Sequence, residues 1–153
     1  MMKIGIIGSR RYRNKTFVKR VINLLPSDTR VISGGCDGVD TWAVQYAKKL
    51  GLKTHEFIPE FQSREAFFSR NRLIAINTDV LIAFIPLGQM RSGAWNTINY
   101  QREFKKPYVV FDEHGDTWDR EWKTKTLIKL INIHEQWTQI QQKIHKESRR
   151  ITS

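Results

Sequence analysis

The sequence predicts an α/β fold: a three-layer sandwich built on a mainly parallel five-stranded sheet, followed by a C-terminal helical appendage. Three observations carry this expectation. Short apolar runs alternate with segments of helical periodicity from Lys3 to Phe111, and strict alternation of this kind places helices on both faces of a parallel sheet. Glycine-containing turns follow several of the apolar runs. The alternation stops after Asp112, which divides the 153 residues into a core over 1–112 and a helical extension over 113–153.

Each element has its own signal. Lys3-Ile-Gly-Ile-Ile-Gly8 is a short apolar run ending in a turn, a buried strand. Asn14 to Leu25 has helical spacing at Phe17, Val18, Val21 and Ile22, and Pro26 closes it. Arg30 to Ser33 is the second strand. Ser33-Gly34-Gly35-Cys36-Asp37-Gly38 then gives a turn almost without side chains, and a helix runs from Asp40 to about Leu50, with Gly51 as its C-cap. Lys53 to Ile58 reads as a strand. Ser63 caps a helix to Asn77, with Ala66, Phe67, Leu73, Ile74 and Ile76 as buried candidates. Asp79 to Ile85 is apolar throughout, the pattern of a central strand. Ser92 caps a helix through Glu103, and Pro107 to Phe111 is the fifth strand.

The C-terminal stretch has a different pattern. Leu130, Ile133, Trp137, Ile140 and Ile144 form a narrow seam at alternating spacings of three and four, which packs back on the sheet or on a second subunit.

Composition limits the function classes. No apolar run approaches the roughly 18 residues that span a bilayer, and the N-terminus lacks a signal-peptide pattern, so the expectation is a cytoplasmic protein without a membrane partner. Cys36 is the single cysteine, and the four histidines are scattered, which excludes a disulfide framework and a cysteine or histidine metal cluster. No metal or cofactor is expected. Net charge is +11, and residues 1–112 carry 18 Lys/Arg against 9 Asp/Glu. A basic folded body favours an anionic partner: a nucleotide, a nucleic acid or another phosphate.

Right-handed crossovers bring the loops after the strands to one edge of the sheet, where α/β proteins bind ligands. Four loops meet there: Gly8-Ser9-Arg10-Arg11; Ser33 to Asp40; the segment carrying Arg70-Asn71-Arg72; and Pro86 to Thr97, with Ser92-Gly93 at a helix start. Glycines admit a phosphate close to the backbone. Helix N-termini and arginines supply donors to it. Neither a Walker A lysine nor Gly-x-Gly-x-x-Gly is present.

Gly8-Ser9-Arg10, then Ser33-Gly34-Gly35-x-x-Gly38-Val39-Asp40, then Arg70-Asn71-Arg72 and Ser92-Gly93 before Thr97, taken in that order, resemble the SLOG superfamily. That group includes the DNA-processing protein DprA, the LOG phosphoribohydrolases and small YspA/YpsA-like proteins. The resemblance covers roughly residues 3–112 and is nearest the small YspA/YpsA-like branch. It implies a Rossmann-like sheet, a nucleotide-derived ligand at the glycine loops and a possible homo-oligomer. The glutamate of the LOG motif has no counterpart in Ser92 to Tyr100, where Asn96 and Asn99 cannot serve as general acid or base.

The expected ligand-binding residues are Gly8, Ser9, Arg10, Ser33, Gly34, Gly35, Gly38, Asp40, Arg70, Asn71, Arg72, Ser92, Gly93 and Thr97. Asp37 and Asp40 have the spacing of a capping pair; Asp40 alternatively contacts a ribose hydroxyl or polarises water. Arg70 and Arg72 stand two apart on a helix, so one faces the site and the other does not. Tyr12, Phe67 and Trp95 are candidate base-stacking groups, with Trp95 open between lid and core. Asp40 and Glu65 are the carboxylates to test for hydrolysis. The leading expectation is a nucleotide-binding sensor or sequestering module. The alternatives are a nucleotide N-glycosidase and a DprA-like binder of single-stranded DNA.

Overall fold

The computed structural model describes residues 2–118. Five strands, β1 (Lys3–Gly8), β2 (Arg30–Ser33), β3 (Lys53–Glu56), β4 (Val80–Phe84) and β5 (Tyr108–Phe111), alternate with four helices, α1 (Lys15–Asn23), α2 (Val39–Lys49), α3 (Arg64–Asn77) and α4 (Gly93–Glu103). Every strand pair is parallel, in the order β3-β2-β1-β4-β5, so the expected mainly parallel sheet is parallel throughout.

This order follows from the connections. The chain moves outward from β1 through β2 to β3, which puts α1 and α2 on one face. It then crosses back past β1 to β4 and continues to β5, which puts α3 and α4 on the other. The strand order reverses at the β1–β4 pair, where Gly8 lies in register with Phe84.

The apolar residues divide between the two faces by the period of two that a strand imposes. Val80, Ile82 and Phe84 of β4 join Ile4, Ile6, Val18, Ile22, Ala43 and Ala47 under α1 and α2. Leu81, Ala83 and Ile85 join Ile7, Ile74, Ala94 and Ile98 under α3 and α4. All five β4 residues are buried, which is why its sequence reads as a continuous apolar run.

Gly8 allows one close approach between these layers. A Cβ there would lie 2.5 Å from Val39 Cγ2 and 2.8 Å from the Phe84 carbonyl. The end of β1 therefore seats directly against the start of α2 and the end of β4.

Some local expectations change. Leu73 and Ile76 are 44% and 43% exposed, because α3 buries Arg70, Asn71, Ile74 and Ala75 instead. Tyr12 is 1% exposed; its hydroxyl donates to the Asp112 carbonyl at 2.8 Å, so it is core and not a stacking platform. Trp118 donates Nε1–H to the Ile85 carbonyl and packs edge-on against Trp95. The seam from Leu130 to Ile144 and nearly all of the proposed extension lie outside the described residues.

Candidate functional site

The loops after β1, β2 and β4 and the inner side of α3 enclose a cleft of about 490 Å³ at the carboxyl edge of the sheet. It sits where the strand order reverses, as in other open α/β sheets. Of the residues expected from sequence, Gly8, Ser9, Arg10, Asp40, Arg70, Asn71, Ser92, Gly93 and Thr97 line it.

Asp40 lies at its floor. The sequence places it in the first turn of α2, where a carboxylate complements the helix dipole. It does not pair with Asp37 as a cap. Gly38 is the N-cap, in a positive-φ conformation (90°), and no side chain bonds there; Asp37 is exposed. The Asp40 carboxylate turns back instead. Oδ1 accepts from Gly8 N–H at 3.2 Å, and Oδ2 accepts from Gly34 N–H at 3.1 Å and Cys36 N–H at 3.4 Å. One buried side chain thus fastens the ends of β1 and β2 together. Burial pushes its pKa up to about 6, against the opposing pull of these N–H groups and of the Arg70 guanidinium.

Arg70 is 8% exposed. Its Nη1 donates to the Gly34 carbonyl and its Nε to Asn71 Oδ1 at 2.8 Å, while Nη2 reaches Cys36 Sγ at 3.5 Å. Asn71 continues the chain, donating to Asn96 Oδ1 at 3.0 Å and the Gly93 carbonyl at 3.3 Å. A continuous polar path therefore links the β2 turn through α3 to the start of α4. Arg72 points elsewhere: it is exposed and lies over the Phe104 ring, 5.9 Å from its centre.

The loop after β4 is held at three points. Ser9 Oγ donates to Gln89 Oε1, Trp95 Nε1–H donates to the Gln89 carbonyl at 2.9 Å, and Glu113 Oε2 accepts from Leu87 N–H at 2.7 Å. Ser92 caps α4 by accepting from Ala94 N–H. Thr97, one turn further, is 1% exposed and lines the cleft.

Not every predicted residue reaches the cleft. Ser33 is fully buried and donates to the Ile6 carbonyl at 2.9 Å, a bond inside the sheet. Gly34 lies behind the lining, between Asp40 and Arg70. Gly35 is exposed at φ 72°, and a Cβ there would meet Ile58. Gly38 serves the turn. Glu65 is exposed in the first turn of α3, outside the lining. Trp95 is part of neither lining nor lid, since its ring packs on Trp118.

Sequence reasoning passed over Arg64, Phe68 and Gln89, which also line the cleft with Phe67. Arg64 lies over the Phe68 ring at 5.2 Å. Their signal was available only as an Arg and a Phe-Phe pair in the turns following the Ser63 cap. Among the described residues no group of acidic, histidine and cysteine side chains has the arrangement of a metal site, and no helix is long and apolar enough to cross a membrane.

No protein-family model matches the chain, and no curated protein matches it at a significant level. Solved structures do. The DNA processing protein A (DprA) of Streptococcus pneumoniae superposes with a TM-score of 0.65 at 23% identity, over 84% of this chain. The chain shares its fold with DprA. It spans 56% of the length of that DprA chain. The structural-genomics target TM1055 superposes with a TM-score of 0.52 at 17% identity, over 71% of this chain and 72% of its own. At these identities the likeness establishes the fold, a DprA-like Rossmann sheet, and that is the fold the SLOG resemblance implies.

Proposed function

We propose that this chain binds a nucleotide or nucleotide-derived ligand in the cleft, as a sensor or sequestering module. The observation that carries the reading is the composition of one half-open cleft. Phe67 and Phe68 offer an apolar, aromatic side for a base. Gly93, the start of α4 and the Thr97 hydroxyl offer donors for a phosphate. Arg10 and Arg11 stand at the rim.

Asp40 is the one carboxylate among the lining residues. Both of its oxygens already accept backbone N–H groups, which supports a role in shaping the loops over one in proton transfer. With asparagines at 96 and 99, this favours holding the ligand over cleaving its glycosidic bond.

The test is calorimetric titration of nucleoside mono- and diphosphates, combined with an assay for released base. Micromolar binding that Phe67→Ala weakens, with no base released, is expected. The absence of binding across the panel removes the reading, and base release that Asp40→Asn abolishes replaces it with the hydrolase.

A second reading rests on the exposed arginines and on the likeness to a DNA processing protein. A single strand laid across Arg10, Arg11, Arg64 and Arg91 gives binding that falls steeply with salt. Oligonucleotide affinity no better than mononucleotide affinity at physiological salt counts against it.

A further inference from the structure

The outer side of α1 and α2 carries exposed charge of one sign. α1 presents Lys15, Lys19 and Arg20 and has no acidic residue. α2 presents Lys48 and Lys49, and its single acid, Asp40, is buried. All five cations are exposed. This side of the sheet is opposite to α3, which walls the cleft.

Three of the lysines are held in place by aromatic rings. Lys15 Nζ lies over the Trp42 ring at 5.6 Å, Lys19 Nζ over the Tyr46 ring at 5.6 Å, and Lys49 Nζ over the same Tyr46 ring at 5.9 Å. Trp42 and Tyr46 are half-buried and pack on the core beneath. They stand one turn apart on α2, as Lys15 and Lys19 do on α1, about 6 Å along the helix axis. The rings thus join lysines of both helices into one seam. A cation–π contact holds each ammonium and leaves N–H donors free for an anion, and a side chain already held loses less freedom on binding.

The seam is costly for the chain alone. Lys15 opens α1, where the helix dipole disfavours a cation and no acid in the first turn offsets it. Lys19 and Lys49 share one ring and repel each other. A polyanion laid along the seam relieves both.

The surface also discriminates among polyanions. The two rings lie under the lysines, so they are no bare platforms for the bases of a single strand. Leu24 and Leu50 are exposed only past the C-terminal ends of the two helices, not along the seam, so no apolar stripe is available to enter a lipid layer. Donors for backbone phosphates remain, and a duplex offers one charge per about 1.7 Å of axis against about 3.4 Å for one strand.

We propose that the α1–α2 side is a docking surface for the phosphate backbone of double-stranded nucleic acid, held through Lys15, Lys19 and Lys49 without regard to base sequence. It is separate from the cleft and does not rest on the nucleotide reading.

The experiment is fluorescence anisotropy of the full chain with a duplex of about 30 base pairs, and with one of its strands, between about 0.05 and 0.2 M salt. The duplex is expected to bind more tightly than the strand. Lys15→Gln/Lys19→Gln/Lys49→Gln is expected to weaken duplex binding at least about tenfold and to lower the slope of log affinity against log salt by about 2.7, the value for three phosphate contacts. Arg72→Gln/Arg102→Gln/Lys105→Gln removes the same charge from α3 and α4 and their flank and is expected to leave most of the affinity. Thermal transitions check that both variants fold. Equal losses in the two variants reduce the effect to net charge and overturn the proposal. So does a strand bound as tightly as the duplex, or no duplex binding at the lowest salt. Seam-dependent binding to phosphatidylserine vesicles without duplex binding assigns the surface to a membrane and also overturns it.

Discussion

Asp40 and Arg70 meet across Gly34. A Cβ placed on this glycine would lie 2.9 Å from Asp40 Oδ2 and 2.8 Å from Arg70 Nη1. The carboxylate takes the Gly34 N–H and the guanidinium takes its carbonyl, so opposite charges grip the two polar groups of one residue. The backbone between them has to be bare.

Gly34→Ala is therefore expected to displace one or both partners. Both are buried and hydrogen-bonded, so neither yields easily, and overpacking of this kind costs about 1–3 kcal/mol. Gly93 is the control, because a Cβ there has nothing within 4 Å. Gly93→Ala keeps its stability, whereas Gly34→Ala shifts the urea midpoint downward. Equal midpoints for the two variants refute the assignment.

The pH response follows from Asp40. Its folded pKa, about 6, lies above the ordinary carboxylate value of 3.8. Between those values the folded state binds more protons than the unfolded chain, so this residue's contribution to stability falls as pH rises from 4 to 6. Wild type is expected to gain thermal stability on going from pH 7 to pH 5, and Asp40→Asn to lose that gain. A variant whose pH profile parallels wild type shows that Asp40 does not titrate in this range.

Arg70 and Arg72 separate cleanly by variant. Arg70→Lys keeps the charge but not the fork that reaches Gly34, Asn71 and Cys36, and breaking such a buried network costs about 2–4 kcal/mol. Arg72→Ala removes an exposed side chain resting on Phe104, worth about 0.5–1 kcal/mol. Chemical denaturation reads the difference. Ligand affinity follows it, falling for Arg70→Lys and staying level for Arg72→Ala.

Thr97→Val distinguishes a ligand group from a structural one. The hydroxyl lies against the cleft, so a ligand-binding role predicts that the change leaves the unfolding free energy within about 0.5 kcal/mol of wild type. Nucleotide affinity is expected to fall about fivefold to tenfold, the worth of one hydrogen bond. A loss of stability without a loss of affinity assigns Thr97 to the core instead.

The sequence by itself determined the element order and the parallel sheet, because both arise from local causes. Period-two and period-3.6 apolar patterns mark which face each segment buries. Ser63 and Ser92 announce helix starts that the structure reproduces at Arg64 and Gly93. The glycine turns after β1 and β2 and the Ser92-Gly93 start of α4 were legible for the same reason, since few residue types tolerate those backbones.

Tertiary structure alone decided what each side chain does there. Sequence spacing left Asp40 open between a capping pair with Asp37 and a ligand contact; only the approach of Gly8, 32 positions away, reveals the N–H groups it fastens. Spacing separated Arg70 from Arg72 without saying which turns inward, because that depends on where α3 lies over the β2 turn. Leu73 and Ile76 looked buried and are exposed, while Arg64, Phe68 and Gln89 looked ordinary and line the cleft. Burial and partnership at a site assembled from several loops depend on contacts distant in sequence, and a local pattern carries no information about them.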